Sequence, residues 1–113
     1  MLKSKETIKI AMQGEVATAY LCGEIDHHNA ARLRRELDDY ICLHRPRVFR
    51  LDTSGIDFMD SSGLGLLMGR YALLKRLGGE LVLCHPTPSV WRMVKLAGMD
   101  RIVRVEASEQ QKT

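Results

Sequence analysis

The chain has 113 residues, 45% of them hydrophobic and 27% charged, the size and balance of one folded domain and not of a disordered segment. Seventeen Lys and Arg against 14 Asp and Glu give a formal charge of +3 with no block of like sign, so no nucleic-acid partner is indicated. Three cysteines lie far apart (Cys22, Cys42, Cys84), which argues against a disulfide framework or a zinc site, and no apolar run reaches membrane-spanning length; the expected setting is the cytoplasm.

TIKIAM at Thr7 to Met12 and VATAYL at Val16 to Leu21 are rich in β-formers and are predicted to pair as a hairpin. Asp26 is expected to cap a helix whose apolar residues Ala30, Leu33, Leu37, Tyr40 and Ile41 share one side. Arg32 with Glu36 and Arg35 with Asp39 fall at ion-pair spacing on the other side, and Pro46 marks the stop. Val48 to Leu51 reads as a buried strand ending at Asp52, with TSGIDFMD as a loop.

From Ser61, the residues Leu64, Leu67, Met68, Tyr71, Leu74 and Leu77 describe a second amphipathic helix, stopped by Gly78-Gly79. Leu81 to Cys84 is a further strand. Thr87 and Pro88 open a third helix with Val90, Trp91, Val94 and Ala97 facing inward, and Gly98 ends it. Ile102 to Val105 supplies a last short strand, and SEQQKT is expected to fray. Strands and helices alternating after an opening hairpin predict an α/β domain with a mixed β-sheet and its helices mainly on one face.

Asp60-Ser61-Ser62-Gly63 crowds three oxygen-bearing side chains onto one helix end, where capping needs only one acceptor. At least one serine hydroxyl therefore faces solvent and is open to phosphorylation, which places charge at the positive end of the helix dipole. A serine nucleophile would need an oriented base. His27, His28, His44 and His85 exist, but the Gly-x-Ser-x-Gly elbow does not, and no catalytic residue is assigned. Gly63, Gly65 and Gly69 miss the dinucleotide spacing by one residue and lack the P-loop lysine; close approach to another chain segment or to a partner surface is the expected role. His27 and His28 would diverge on a helix and hold no metal. Glu24 and Asp26 flank Ile25 in an extended stretch, so both carboxylates point to the same side, ready for a partner's Arg or Lys. Trp91 is expected in the core.

GEIDHHNA (Gly23 to Ala30), FMDSSGLGLLMGRY (Phe58 to Tyr71) and GGELVLC (Gly78 to Cys84) together resemble the STAS domain family, with the resemblance running from about Thr7 to about Ser108. It implies a single STAS domain over residues 3–113 that acts as an anti-sigma factor antagonist in sporulation. The implied partner is the anti-sigma F factor, itself a serine kinase. The unphosphorylated antagonist binds it and releases sigma factor F, phosphorylation ends binding, and a serine phosphatase of the PP2C type restores it. A stress-response partner switch is the neighbouring reading, and a small nucleotide-binding protein the more distant one.

By the family's pattern Ser61, directly after the motif Asp, is the phosphorylated residue. Asp60, Ser62, Gly63 and Leu64 shape the helix end offered to the kinase, and Glu24 with Asp26 form the acidic docking pair. No cofactor is implied for this chain, since ATP and Mg²⁺ belong to the kinase, and the free protein is expected to be a monomer. Asn29 stands where close relatives are expected to carry Thr.

Overall fold

The computed structural model describes residues 7–107, which form one five-stranded mixed sheet and three helices. β1 (Thr7–Gln13) and β2 (Val16–Ile25) make the expected antiparallel hairpin, closed by Gly14 and Glu15. Gly14 takes φ +63°, the left-handed backbone that such a two-residue turn requires. β3 (Val48–Met59), β4 (Glu80–Cys84) and β5 (Arg104–Glu106) follow in spatial order, and β2 to β5 run parallel.

α1 (Ala30–His44), α2 (Ser61–Arg76) and α3 (Pro88–Leu96) are the crossovers between the parallel strands. Because the strand order never reverses, right-handed connections place all three helices on the same face. Leu33, Leu37 and Ile41 of α1, Leu67 and Leu74 of α2, and Val90 and Val94 of α3 close one core against that face. Its sheet side is built from Ala17 and Ala19, Phe49 and Leu51, and Leu81 and Leu83, residues that pair across the strands in register.

β3 is longer than expected: the segment 53–59 is strand, not loop. Tyr20 pairs with Asp52 but Cys22 with Gly55, and Gly23 pairs with Ile56 but Glu24 with Phe58. Each jump inserts one extra residue into β3, a bulge that bends the strand without ending it. Gly55 makes the first possible, since a Cβ there would lie 2.6 Å from the Cβ of Cys22.

α1 starts later than expected. Asp26 does not cap it; residues 27–29 form a turn, and Asn29 is the N-cap without a side-chain cap bond. The carboxylate of Asp26 instead accepts from the backbone N–H of His28 at 2.9 Å. Arg32 and Glu36 form their expected ion pair at 3.0 Å, and α1 ends at His44 before Pro46. Thr87 caps α3 and Gly98 follows its end, but Ala97 is exposed, not inward, because it is already the C-cap. Met68 also faces outward. Trp91 is only half-buried, packed against the core from its edge. Ile102 and Val103 lie outside the last strand, after a 3₁₀ turn at Met99–Arg101. The expected frayed end at residues 108–113 lies outside the described residues, as do residues 3–6 of the expected domain.

Candidate functional site

The C-terminal ends of β2 and β3 lie side by side, with Ile25 paired to Met59, so the chain leaves the sheet at two adjacent points. From one it enters the turn before α1; from the other it turns at once into α2. The backbone N–H of Asp60 donates to the carbonyl of Ile25 at 3.1 Å, which ties the two exits together.

Asp60 is the N-cap of α2, and its Oδ1 accepts from the backbone N–H of Ser62 at 2.8 Å. Its main-chain carbonyl accepts from Gly63 and Leu64. The cap is therefore complete without either serine hydroxyl. Ser61 is the first helical residue and is exposed, Ser62 is half-buried, and Leu64 is partly covered by the core. Gly63 is buried, and a Cβ there would overlap Cγ of Met59 and come within 3.2 Å of Ile25. Its part is to seat the helix end on the sheet; it offers no surface for contact. Gly65 and Gly69 are not needed for close approach to another segment of this chain, since a Cβ on either meets nothing within 4 Å.

Glu24 and Asp26 open onto one recess of about 770 Å³ between the end of β2 and the start of α1, which Asp57 and Arg32 also line. Asn29 fixes its wall, with Nδ2 donating to the carbonyl of Glu24 at 2.7 Å and Oδ1 accepting from the N–H of Asp26 at 3.0 Å. Both residues thus line the same recess.

His27 and His28 do not diverge. They occupy a turn, not a helix, and their rings lie 4.0 Å apart. They face different carboxylates, His27 Nδ1 at 3.9 Å from Asp60 and His28 Nδ1 at 3.7 Å from Asp26. Among the described residues no cluster of His, Cys, Asp and Glu is arranged to hold a metal ion, and no helix is long and apolar enough to cross a membrane.

A model of the STAS domain family matches residues 7–112. The chain belongs to the STAS domain family. This STAS domain is 36% identical over 89 residues to the anti-sigma F factor antagonist of Paenibacillus polymyxa, covering 79% of this chain and 76% of that one. Its fold is similar to that of the anti-sigma factor antagonist SpoIIAA in its unphosphorylated form, with TM-score 0.77 and 27% identity over 93% of this chain and 91% of that one. It is also similar to the Bacillus cell fate determinant SpoIIAA in the phosphorylated form, with TM-score 0.72 and 26% identity over 93% and 95% of the two chains.

Three features of the STAS domain escaped the sequence. Phe58 is 49% exposed and Met68 38%, two large apolar side chains close in sequence to Ser61 on either side. His27 reaches Asp60 only because β2 and β3 end together, a long-range pairing with no local trace. Arg70 is buried inside α2 on the same side as Leu66, Leu67 and Leu74, a position its helical spacing does give away.

Proposed function

We propose that this STAS domain is an anti-sigma factor antagonist that, unphosphorylated, binds the anti-sigma F factor and so frees sporulation sigma factor F. The anti-sigma factor is also a serine kinase; with its own ATP and Mg²⁺ it phosphorylates Ser61, and a PP2C-type serine phosphatase removes the phosphate. The exchange takes place in the cytoplasm.

One observation carries this reading: Ser61 stands exposed at the first position of α2, while the neighbouring Asp60 already satisfies the cap. Ser61 is free to be modified without removing a hydrogen bond that the helix needs. The phosphoryl group adds a charge of about −1.5 to −2 at the positive end of the helix dipole, so the product keeps its fold. What changes is the surface. New charge and bulk appear beside Asp60 and near the Glu24 and Asp26 carboxylates, where they repel an acidic or closely fitted partner. The similarity to anti-sigma F factor antagonists and to SpoIIAA in unphosphorylated and phosphorylated forms supports the same switch.

The test is intact-mass and phosphopeptide analysis after incubation with an anti-sigma F kinase and ATP, comparing wild type, Ser61→Ala and Ser62→Ala. A single phosphate lost only in Ser61→Ala is the expected result. Modification that persists in Ser61→Ala removes Ser61 as acceptor. An unmodified wild type beside a kinase active on another substrate points to a different pathway, such as stress response.

A further inference from the structure

Between α1 and α2 lies a slot of about 410 Å³ that shares no lining residue with the acidic recess. Ala30, Ala31 and Gly65 keep it open by carrying small side chains or none. Ser62 and His27 mark one end of it; Arg34 lies about one turn into α1, and Arg70 a little over two turns beyond Ser62 on α2.

Arg70 is an unusual component. It is only 6% exposed, and although Asp38 supplies a counter-charge, its donors are poorly satisfied. Nε lies 2.8 Å from Oδ1 of Asp38 on α1, but the contact is not aligned as a hydrogen bond, and Nε, Nη1 and Asp38 Oδ1 all lack a hydrogen-bond partner. A guanidinium has five donors, and a buried charge is tolerated when those donors are satisfied. A second cation makes matters worse: burial lowers the Arg70 pKa, Asp38 opposes that, and Arg34 lowers it further. Asp38 is the carboxylate facing Arg70, and Asp60 faces His27 at the serine end. Two arginines against one adjacent carboxylate leave the arginine end of the slot positive and short of acceptors.

We propose that the α1–α2 slot is an oxyanion site that takes a phosphoryl group, held by Arg70 and Arg34 with the Ser62 hydroxyl and His27 at its serine end. A phosphoryl oxygen supplies the acceptors that the buried guanidinium lacks, and Arg with phosphate is a strong, directional pairing. The group has two sources, free phosphate or the phosphoryl carried by the chain's own serine corner; the second source rests on the function proposed above.

The experiment follows the arginine Nε–Hε signals of the full chain by NMR during titration with inorganic phosphate at constant ionic strength. A saturable shift of the Arg70 and Arg34 signals is expected, with at least a tenfold weaker apparent affinity in Arg34→Gln, a change at an exposed position that spares the core. In parallel, the ³¹P titration midpoint of the Ser61-phosphorylated chain is compared with phosphoserine, whose second pKa is about 6. A midpoint lowered in wild type and restored in Arg34→Gln identifies the chain's own phosphoryl as the occupant. An unshifted midpoint with saturable phosphate binding identifies an external phosphate. If the kinase leaves the chain unmodified, the function proposed above fails, and the phosphate titration alone decides the slot. No saturable arginine shift and no Arg34-dependent midpoint overturn the site.

Discussion

Arg50 Nη1 on β3 and Glu106 Oε1 on β5 meet at 2.8 Å, an ion pair that reaches across the whole width of β4. Arg50 pairs in register with Val82, and Cys84 with Glu106, so this bridge covers the face of the sheet that carries no helix. Val82 and Cys84 are fully buried although they lie outside the main core. Charged side chains with long apolar stems do the covering.

Acid should loosen this bridge. Hydrogen bonding to Arg104 is the largest influence on the Glu106 carboxyl; burial opposes it, and the hydrogen bond to Arg50 with the charges of both arginines tips the balance, so the carboxyl lies below its ordinary value. A depressed folded-state pKa contributes stability that is fully present above the unfolded value of about 4.3 and is lost as pH falls through the lower folded value. Urea unfolding at about pH 7 and about pH 3 checks this. Glu106→Gln should be less stable than wild type at the higher pH, and the gap should close at the lower one.

Burial beneath the same bridge sets thiol reactivity. Burial pushes the Cys84 thiol up to about 11, with Arg50 pulling it down and Glu106 raising it. Cys42 is exposed on α1. Thiol titration with an aromatic disulfide near neutral pH should therefore modify Cys42 within the folded protein and Cys84 only on unfolding, since the thiolate is the reactive form. Peptide mapping assigns the modified residues.

Gly63 and Gly65 should respond oppositely to alanine. A Cβ at Gly63 overlaps Met59, so Gly63→Ala overpacks the helix–sheet contact and is expected to cost about 1–3 kcal/mol. Gly65 is exposed with open space around it, so Gly65→Ala should stabilise α2 by about 0.5–1 kcal/mol through helix propensity. Denaturant midpoints of the two variants separate the effects.

Charge reversal in the acidic recess tests partner docking, and Glu24 is the cleaner position. Its backbone carbonyl, not its carboxylate, holds Asn29, whereas the Asp26 carboxylate anchors the turn before α1. Glu24→Lys should keep the wild-type unfolding midpoint within about 0.5 kcal/mol. Its affinity for the anti-sigma factor should fall at least tenfold by calorimetry. An unchanged affinity would remove Glu24 from the docking surface.

The parts of the fold legible in the sequence are those with local causes. Asp60 caps α2, Thr87 and Pro88 open α3, and the spacing of Leu33, Leu37 and Ile41 fixes the inner side of α1. The end of β3 was not legible, because its buried residues Thr53, Ile56 and Met59 are spaced by three, which matches neither strand alternation nor a helix. Bulges made by pairing with β2 produce that spacing, and pairing is a long-range property. Asp26 misled for a related reason: its cap-like side chain stabilises a turn that delays α1 to Ala30. At the candidate site the acidic pair and the serine corner were visible in one dimension. That they share an end of the sheet, and that Arg70 of the same helix is buried against Asp38 of α1, required the third.

The bulges also make the length of β3 a form of addressing. Each extra residue reverses the sense in which all later side chains point, and two of them restore it, so Met59 arrives facing inward and Asp60 begins the helix on the core side. Deleting a single residue between 52 and 58 would leave the composition almost untouched and yet deliver the serines to the wrong side of the sheet. Residue count in this segment is thus as binding a constraint as the Asp-Ser-Ser-Gly motif itself, and a chain carrying the motif after a strand one residue shorter would display a different surface.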